Sequence, residues 1–130
     1  MDYELGTTTK IRSFTDLDVW KEGHKFVVNI YKTTSNFPEN EKFGLVSQLR
    51  RAYVSITSNI AEGFSKESYK EKVLFYRRSL GSLTETQNQL LVARDVGFMS
   101  NEIFKTFVTQ TVVISKLLNG IIKKSKDFYS

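Results

Sequence analysis

Five charged residues stand where helical spacing sets polar chemistry against apolar surface: Arg50 and Arg51 in QLRRAY, Glu62 in IAEGF, and Arg78 and Glu85 in RRSLGSLTE. Gln48, Arg51, Ser55, Ser58 and Glu62 recur at spacings of three and four, a polar seam along one helix. Arg78 lies two turns before Glu85 on nearly the same face of another. A charge against apolar surface is costly unless it is paired and hydrogen-bonded. Arg51, Glu62, Arg78 and Glu85 are therefore read as structural ion pairs that fix helix register or a subunit contact. In the competing reading the arginines contact phosphate, a role to which Arg50 is assigned. A catalytic carboxylate pair is the third.

Other chemistries lack their residues. His24 is the one histidine, on an apolar stripe between Trp20 and Val27, where a packed or boundary imidazole is expected. A nucleophile-histidine-carboxylate assembly has no neighbouring partners to draw on. There is no cysteine, which removes disulfides and thiolate metal sites. Gly63 and Gly81 stand alone on helical patterns, not in a phosphate loop. A di-metal bundle site needs Glu-x-x-His, and His24 has no Glu three residues before it. No catalytic residue, metal or cofactor is expected.

The remaining candidates are cations. The chain of 130 residues has a net charge of +5; residues 1–40 hold five Lys/Arg against six Asp/Glu, and residues 41–130 hold fourteen against eight. Lys66, Lys70, Lys72 and Arg77 gather near the start of one helix, and Lys105, Lys116, Lys123, Lys124 and Lys126 lie on or after the next. Phosphate contacts need little more than positive charge, so these nine and Arg50 form the candidate nucleic-acid set. Tyr69, Phe75 and Tyr76 are interleaved with the first group; core packing is their ordinary role, base stacking the alternative.

Four helical patterns must position these groups. One proline, Pro38, occurs, and no segment alternates as a surface strand does. The first helix is expected over 16–35, with stripes Leu17, Trp20, His24, Val27, Tyr31 and Val19, Gly23, Phe26, Ile30 as one wide buried face. Asn36-Phe37-Pro38 stops it. The second spans 39–64. Ser68 opens the third in a capping-box pattern with Glu71, and Gly97 closes it in a left-handed cap. Gly81 in mid-helix costs about 1 kcal/mol against alanine, which implies close approach of a neighbouring helix. Ser100 caps the fourth, which turns Phe104, Phe107, Thr111, Ile114, Leu118 and Ile121 inward. Short loops between long helices force antiparallel neighbours. The expected fold is all-α, an up-down-up-down four-helix bundle over 14–122, with an N-terminal tail of residues 1–13 and a basic, fraying C-terminal tail of residues 123–130.

The second helix lacks a charged outer face. Leu45, Val46, Leu49, Tyr53, Ile56 and Ile60 share one side, and the other carries Ser47, Val54, Thr57, Ser58 and Ala61. A helix without a solvated face packs on more than one side. These five residues are the expected interface of a homo-oligomer. The first residues are neither basic nor apolar, and no run reaches the roughly 18 apolar residues of a membrane helix, so a cytoplasmic location away from membranes is expected.

QLRRAYVSITSNIAEG resembles the signature of a four-helix-bundle family first noticed as products of intervening sequences in bacterial 23S rRNA genes, also called S23-type ribosomal protein. The likeness extends to FTDLDVW (Phe14–Trp20), IYKTTSNFPENEKFGL (Ile30–Leu45), GSLTE (Gly81–Glu85) and NQLLVARDVGFM (Asn88–Met99), covering roughly residues 14–122. Family members often carry a small residue at position 53, proline at 57 and an apolar residue at 78, where this chain has Tyr53, Thr57 and Arg78. The resemblance implies a homopentamer. A related branch, the accessory proteins of diversity-generating retroelements, forms a basic pentamer that binds nucleic acid and a reverse transcriptase. It thus implies a non-enzymatic assembly on RNA or DNA; the alternative is a scaffold that binds a protein partner and no nucleic acid.

Overall fold

The computed structural model describes residues 3–4 and 10–129, with side chains over 10–127. Four helices make up most of it: α1 (Asp18–Thr34), α2 (Leu45–Ser65), α3 (Tyr69–Asp95) and α4 (Asn101–Tyr129). Each packs on its successor and α1 closes on α4, so α1 and α3, like α2 and α4, stand diagonally across the bundle. Between α2 and α3 the contacts descend in step. Arg51 meets Glu85, Ser55 meets Ser82, Ser79 reaches the Ile56 carbonyl and Lys72 that of Phe64. The interior is aliphatic and aromatic: Phe26, Ile30, Leu49, Tyr53, Ile56, Ile60, Tyr76, Leu83, Leu90, Ile114 and Leu118 are almost wholly enclosed.

Before α1 the chain makes a two-residue antiparallel ladder, β1 (Tyr3–Glu4) on β2 (Lys10–Ile11). A 3-10 turn follows at Phe14–Asp16. The Asp16 carboxylate there accepts the backbone N–H groups of Arg12 and Ser13 at 3.0 and 3.1 Å, which holds its pKa below the usual carboxylate value. Ile11 is buried in the core. At the other end α4 runs on to Tyr129, so Lys123, Lys124 and Lys126 are helical and Ile122 is buried. The packed unit thus reaches into both segments read from sequence as tails.

The second helix begins at the first residue of its apolar stripe and not at the expected residue 39. Residues 39–41 form a separate 3-10 turn, and α2 starts after Gly44, where the Glu41 carboxylate accepts the Leu45 N–H at 3.2 Å. The α3 caps form at both ends: Ser68 Oγ accepts the Glu71 N–H, and Gly97 takes a φ of 86° while the Phe98 N–H reaches the Ala93 carbonyl. Ser100 Oγ accepts the Ile103 N–H at the start of α4. Gly63 is a close-approach position, since a Cβ there would lie 2.6 Å from Tyr76 Cε1.

Two expectations about packing are corrected. The buried face of α1 is narrower than two stripes: Val19, Gly23, Phe26, Ile30 and Thr34 are buried, Trp20 and Val27 are partly covered, and His24 and Tyr31 are exposed. Four helices leave each one a single inward arc, and the second stripe falls at its edge. Gly81 is exposed, with no heavy atom within 4 Å of where its Cβ would be, so no helix of the same chain explains it.

Candidate nucleic-acid interface and self-association face

The cations divide by what holds them. Arg50 lies over the Tyr31 ring, 4.4 Å from its centroid, with its Nε buried and lacking a hydrogen-bond partner. Lys66 Nζ and the Arg78 guanidinium sit 5.0 and 4.8 Å from the centroid of Phe75. Lys72 Nζ donates to the Phe64 carbonyl at 2.7 Å and lies over the Phe64 ring; burial pushes its pKa below the usual lysine value. That amine meets one of the last carbonyls of α2, where a cation complements the helix dipole. Arg50, Lys66 and Lys72 therefore have positions set by their own chain.

Lys70, Arg77, Lys105, Lys116, Lys123, Lys124 and Lys126 differ. All seven are exposed and none forms a hydrogen bond or ion pair among the described residues. Of the aromatic residues interleaved with them, Tyr76 is core and Phe75 is half-buried beneath two cations, so neither offers an open face to a base.

The proposed ion pairs divide as well. Arg51 pairs with Glu85 across α2 and α3 and also donates to Gln48 Oε1 through Nε and Nη2. Both charged side chains remain about half exposed, so the pair orients more than it stabilises. Glu62 and Arg78 join no ion pair among the described residues. Sequence reasoning missed the partners that continue this seam inward. Ser55 Oγ meets Ser82 Oγ at 2.8 Å while accepting from Asn59, and the buried Ser79 hydroxyl donates to the Ile56 carbonyl at 2.7 Å. The clue was the run of small hydroxyl residues in SLGSLT, at a spacing that faces α2.

On the α2 face, Ser47, Val54 and Ser58 are exposed, Val54 to 44%, while Thr57 and Ala61 are half-buried. Thr57 has an intrachain neighbour: its Cγ2 lies 3.1 Å from the Cβ position of Gly23, which draws α1 close. Exposed Leu74, Val92 and Gly81 form an uncharged strip on the outer side of α3, separated from the α2 strip by the Arg51–Glu85 pair and by exposed Glu62, Glu71 and Arg78.

A shallow cleft lined by Asp18, Trp20, Lys21, Glu22, His24, Lys25, Val113 and Leu117 lies between α1 and α4. His24 stacks on Trp20 within it, ring centroids 4.6 Å apart. No nucleophile or carboxylate is hydrogen-bonded to the imidazole. Among the described residues no cluster of His, Cys, Asp and Glu could hold a metal ion, and no helix is long and apolar enough to cross a membrane.

A comparison with curated proteins finds no match. Among solved structures, a protein with unknown function from the S23 ribosomal protein family, from Bacteroides thetaiotaomicron, superposes with a TM-score of 0.71. The two are 27% identical over 81% of this chain and 98% of that one. The family model of the 23S rRNA-intervening sequence protein matches residues 15–120, from the capping turn before α1 to the last third of α4. With most of the chain under that match, and with the four-helix architecture to go with it, the protein belongs to the 23S rRNA-intervening sequence protein family.

Proposed function

We propose that the protein is a non-enzymatic, cytoplasmic homo-oligomer that associates with RNA or DNA through its basic surface. The observation that carries this reading is the set of seven exposed cations without an intrachain partner. Phosphate-directed binding needs such groups and little else. The descending contacts from α2 to α3 support an antiparallel, up-down-up-down protomer. The uncharged, small-residue surface around Val54 and Ser58 supports burial against a second copy, and a pentamer is the assembly that the resemblance in the sequence implies. Repetition around a ring multiplies a modest basic excess into a larger field.

The test is binding of a structured RNA and a DNA duplex across a salt series. Affinity at low salt that falls log-linearly as salt rises supports the proposal; no binding at low salt, or binding indifferent to salt, overturns it. The exposed apolar residues Leu74, Val92 and Phe43, the last 90% exposed, favour a second reading, a scaffold for a protein partner. A partner retained after nuclease treatment and high salt is its expected signature.

A further inference from the structure

The unpartnered cations are not spread evenly over the molecule. Gln87 Nε2 donates to Thr111 Oγ1 at 2.9 Å, and the Arg94 guanidinium lies 4.4 Å from the Phe104 ring centroid. These two contacts fix how α3 and α4 lie alongside each other. Extended toward the start of α3, the same register sets Arg77 level with Ile121 and Lys70 near the end of α4. Helical periodicity then decides which side chains share the outer seam between the helices. On α3 these are Lys70, Arg77, Thr84 and Asn88. On α4 they are Lys116, Asn119, Lys123 and Lys126, and all eight are exposed; past them the same faces carry exposed Leu91, Val112 and Lys105.

Five cations therefore line one stretch of groove, about 18 Å long at 1.5 Å per residue. Among the described residues the nearest acids are Glu67 before α3, Glu71 and Glu85 on its α2 side, Asp95 and Glu102 at the opposite end, and Asp127, one turn from Lys123 on α4. Asp95 is paired with Arg94, and Glu85 with Arg51. Asn119 lies among the cations and Thr84 and Asn88 just past them; the Thr84 hydroxyl donates to the Leu80 carbonyl and Asn119 to the Ser115 carbonyl, so the amides keep N–H groups for phosphate oxygens. No described aromatic side chain is exposed along the seam, so it lacks the stacking platform that single-strand binders use.

We infer that the outer α3–α4 seam, through Lys70, Arg77, Lys116, Lys123 and Lys126, receives the phosphodiester backbone of a nucleic-acid duplex. The inference rests on the proposed nucleic-acid association and narrows it to one face. Arg50, Lys66 and Lys72, held by their own chain, lie outside the seam. That face is also distinct from the Val54–Ser58 surface of α2, which stays available for a second copy. Recognition is by backbone, tolerant of sequence and steeply dependent on salt.

The test compares two charge-matched variants of the full chain. One carries K70Q, R77Q, K116Q, K123Q and K126Q; the other carries K10Q, K21Q, K25Q, K32Q and K42Q. The probes are a 20-base-pair DNA duplex, an RNA duplex of the same length, a single-stranded oligothymidylate and polyglutamate. Far-ultraviolet circular dichroism and native mass confirm that both variants fold and assemble as the wild type does. The expected result is at least about a 100-fold loss of duplex affinity at low salt for the seam variant alone. The slope of log K against log salt should shallow by roughly 4 to 5 for five lost contacts. Equal losses in the two variants overturn the seam while leaving nucleic-acid association standing. Absence of wild-type binding removes both. Tighter binding of oligothymidylate than of either duplex overturns the duplex assignment, and equal competition by polyglutamate replaces nucleic acid with an acidic protein.

Discussion

Tyr53 is wholly buried, and among the described residues its hydroxyl has no partner of good hydrogen-bond geometry, although Thr34 and Arg50 lie close to it. Burial raises its pKa above 10.0, opposed in part by the nearby Thr34 hydroxyl and Arg50. A buried hydroxyl left unsatisfied costs about 1–3 kcal/mol, so Tyr53→Phe should raise the melting temperature at neutral pH. The sign of the pH effect follows from the direction of the shift. Above the unfolded tyrosine value the unfolded chain ionises first, so stability falls as pH rises past about 10. In Tyr53→Phe that fall should be shallower, and melts at pH 7 and 10.5 check both outcomes. Gly63→Ala is the opposite case, because its new Cβ would meet the Tyr76 ring at 2.6 Å. Overpacking of this kind costs about 1–3 kcal/mol, readable by urea titration. Neither environment was legible in the sequence, since each depends on which ring of a distant helix arrives opposite. The bulk of Tyr53 and its need for a partner could be read; the partner's absence could not.

At the level of the helices, the apolar spacing placed most of the inward positions of α2 and α4, because burial on one face imposes the three-and-four repeat. It overestimated α1, whose Tyr31 and His24 have apolar bodies at the edge of the buried arc and stand open. The intrachain roles of Lys66 and Lys72 were also hidden, since they exist only once the α2–α3 turn brings Phe64 and Phe75 beside them. Gly81→Ala tests the most informative mismatch. With nothing of the same chain within 4 Å, alanine should stabilise α3 of a lone protomer by about 1 kcal/mol through helix propensity. A lowered melting temperature would instead place a second chain against that spot. A double-mutant cycle on Arg51 and Glu85 should give a coupling of about 0.5 kcal/mol, as is usual for a pair this exposed.

For the whole molecule, the candidate surfaces separate by direction: the outer side of α2 around Val54 and Ser58 carries no charge, and the α3–α4 seam presents cations without an ion pair among the described residues. Val54→Lys places a charge in the middle of the first surface without touching the core, since Val54 is already 44% exposed. The expected outcome is an unchanged helical spectrum with a native mass reduced to the protomer. Surfaces such as these were only partly legible from the chain, because the partner that would give them meaning is not encoded in a single copy.

The Ser55–Ser82, Ser79–Ile56, Arg51–Glu85 and Lys72–Phe64 contacts recur along α2 from Arg51 to Phe64. They work as a key in a keyway. Displacing α2 along α3 by one turn, about 5.4 Å, would break every one of them at once and leave the buried Ser79 hydroxyl without its acceptor. Ratcheting between these helices is therefore closed to this protein as a way of passing a signal. Whatever it carries, it carries as a stiff bar, and the amides of both helices should exchange hydrogen as one cooperative block.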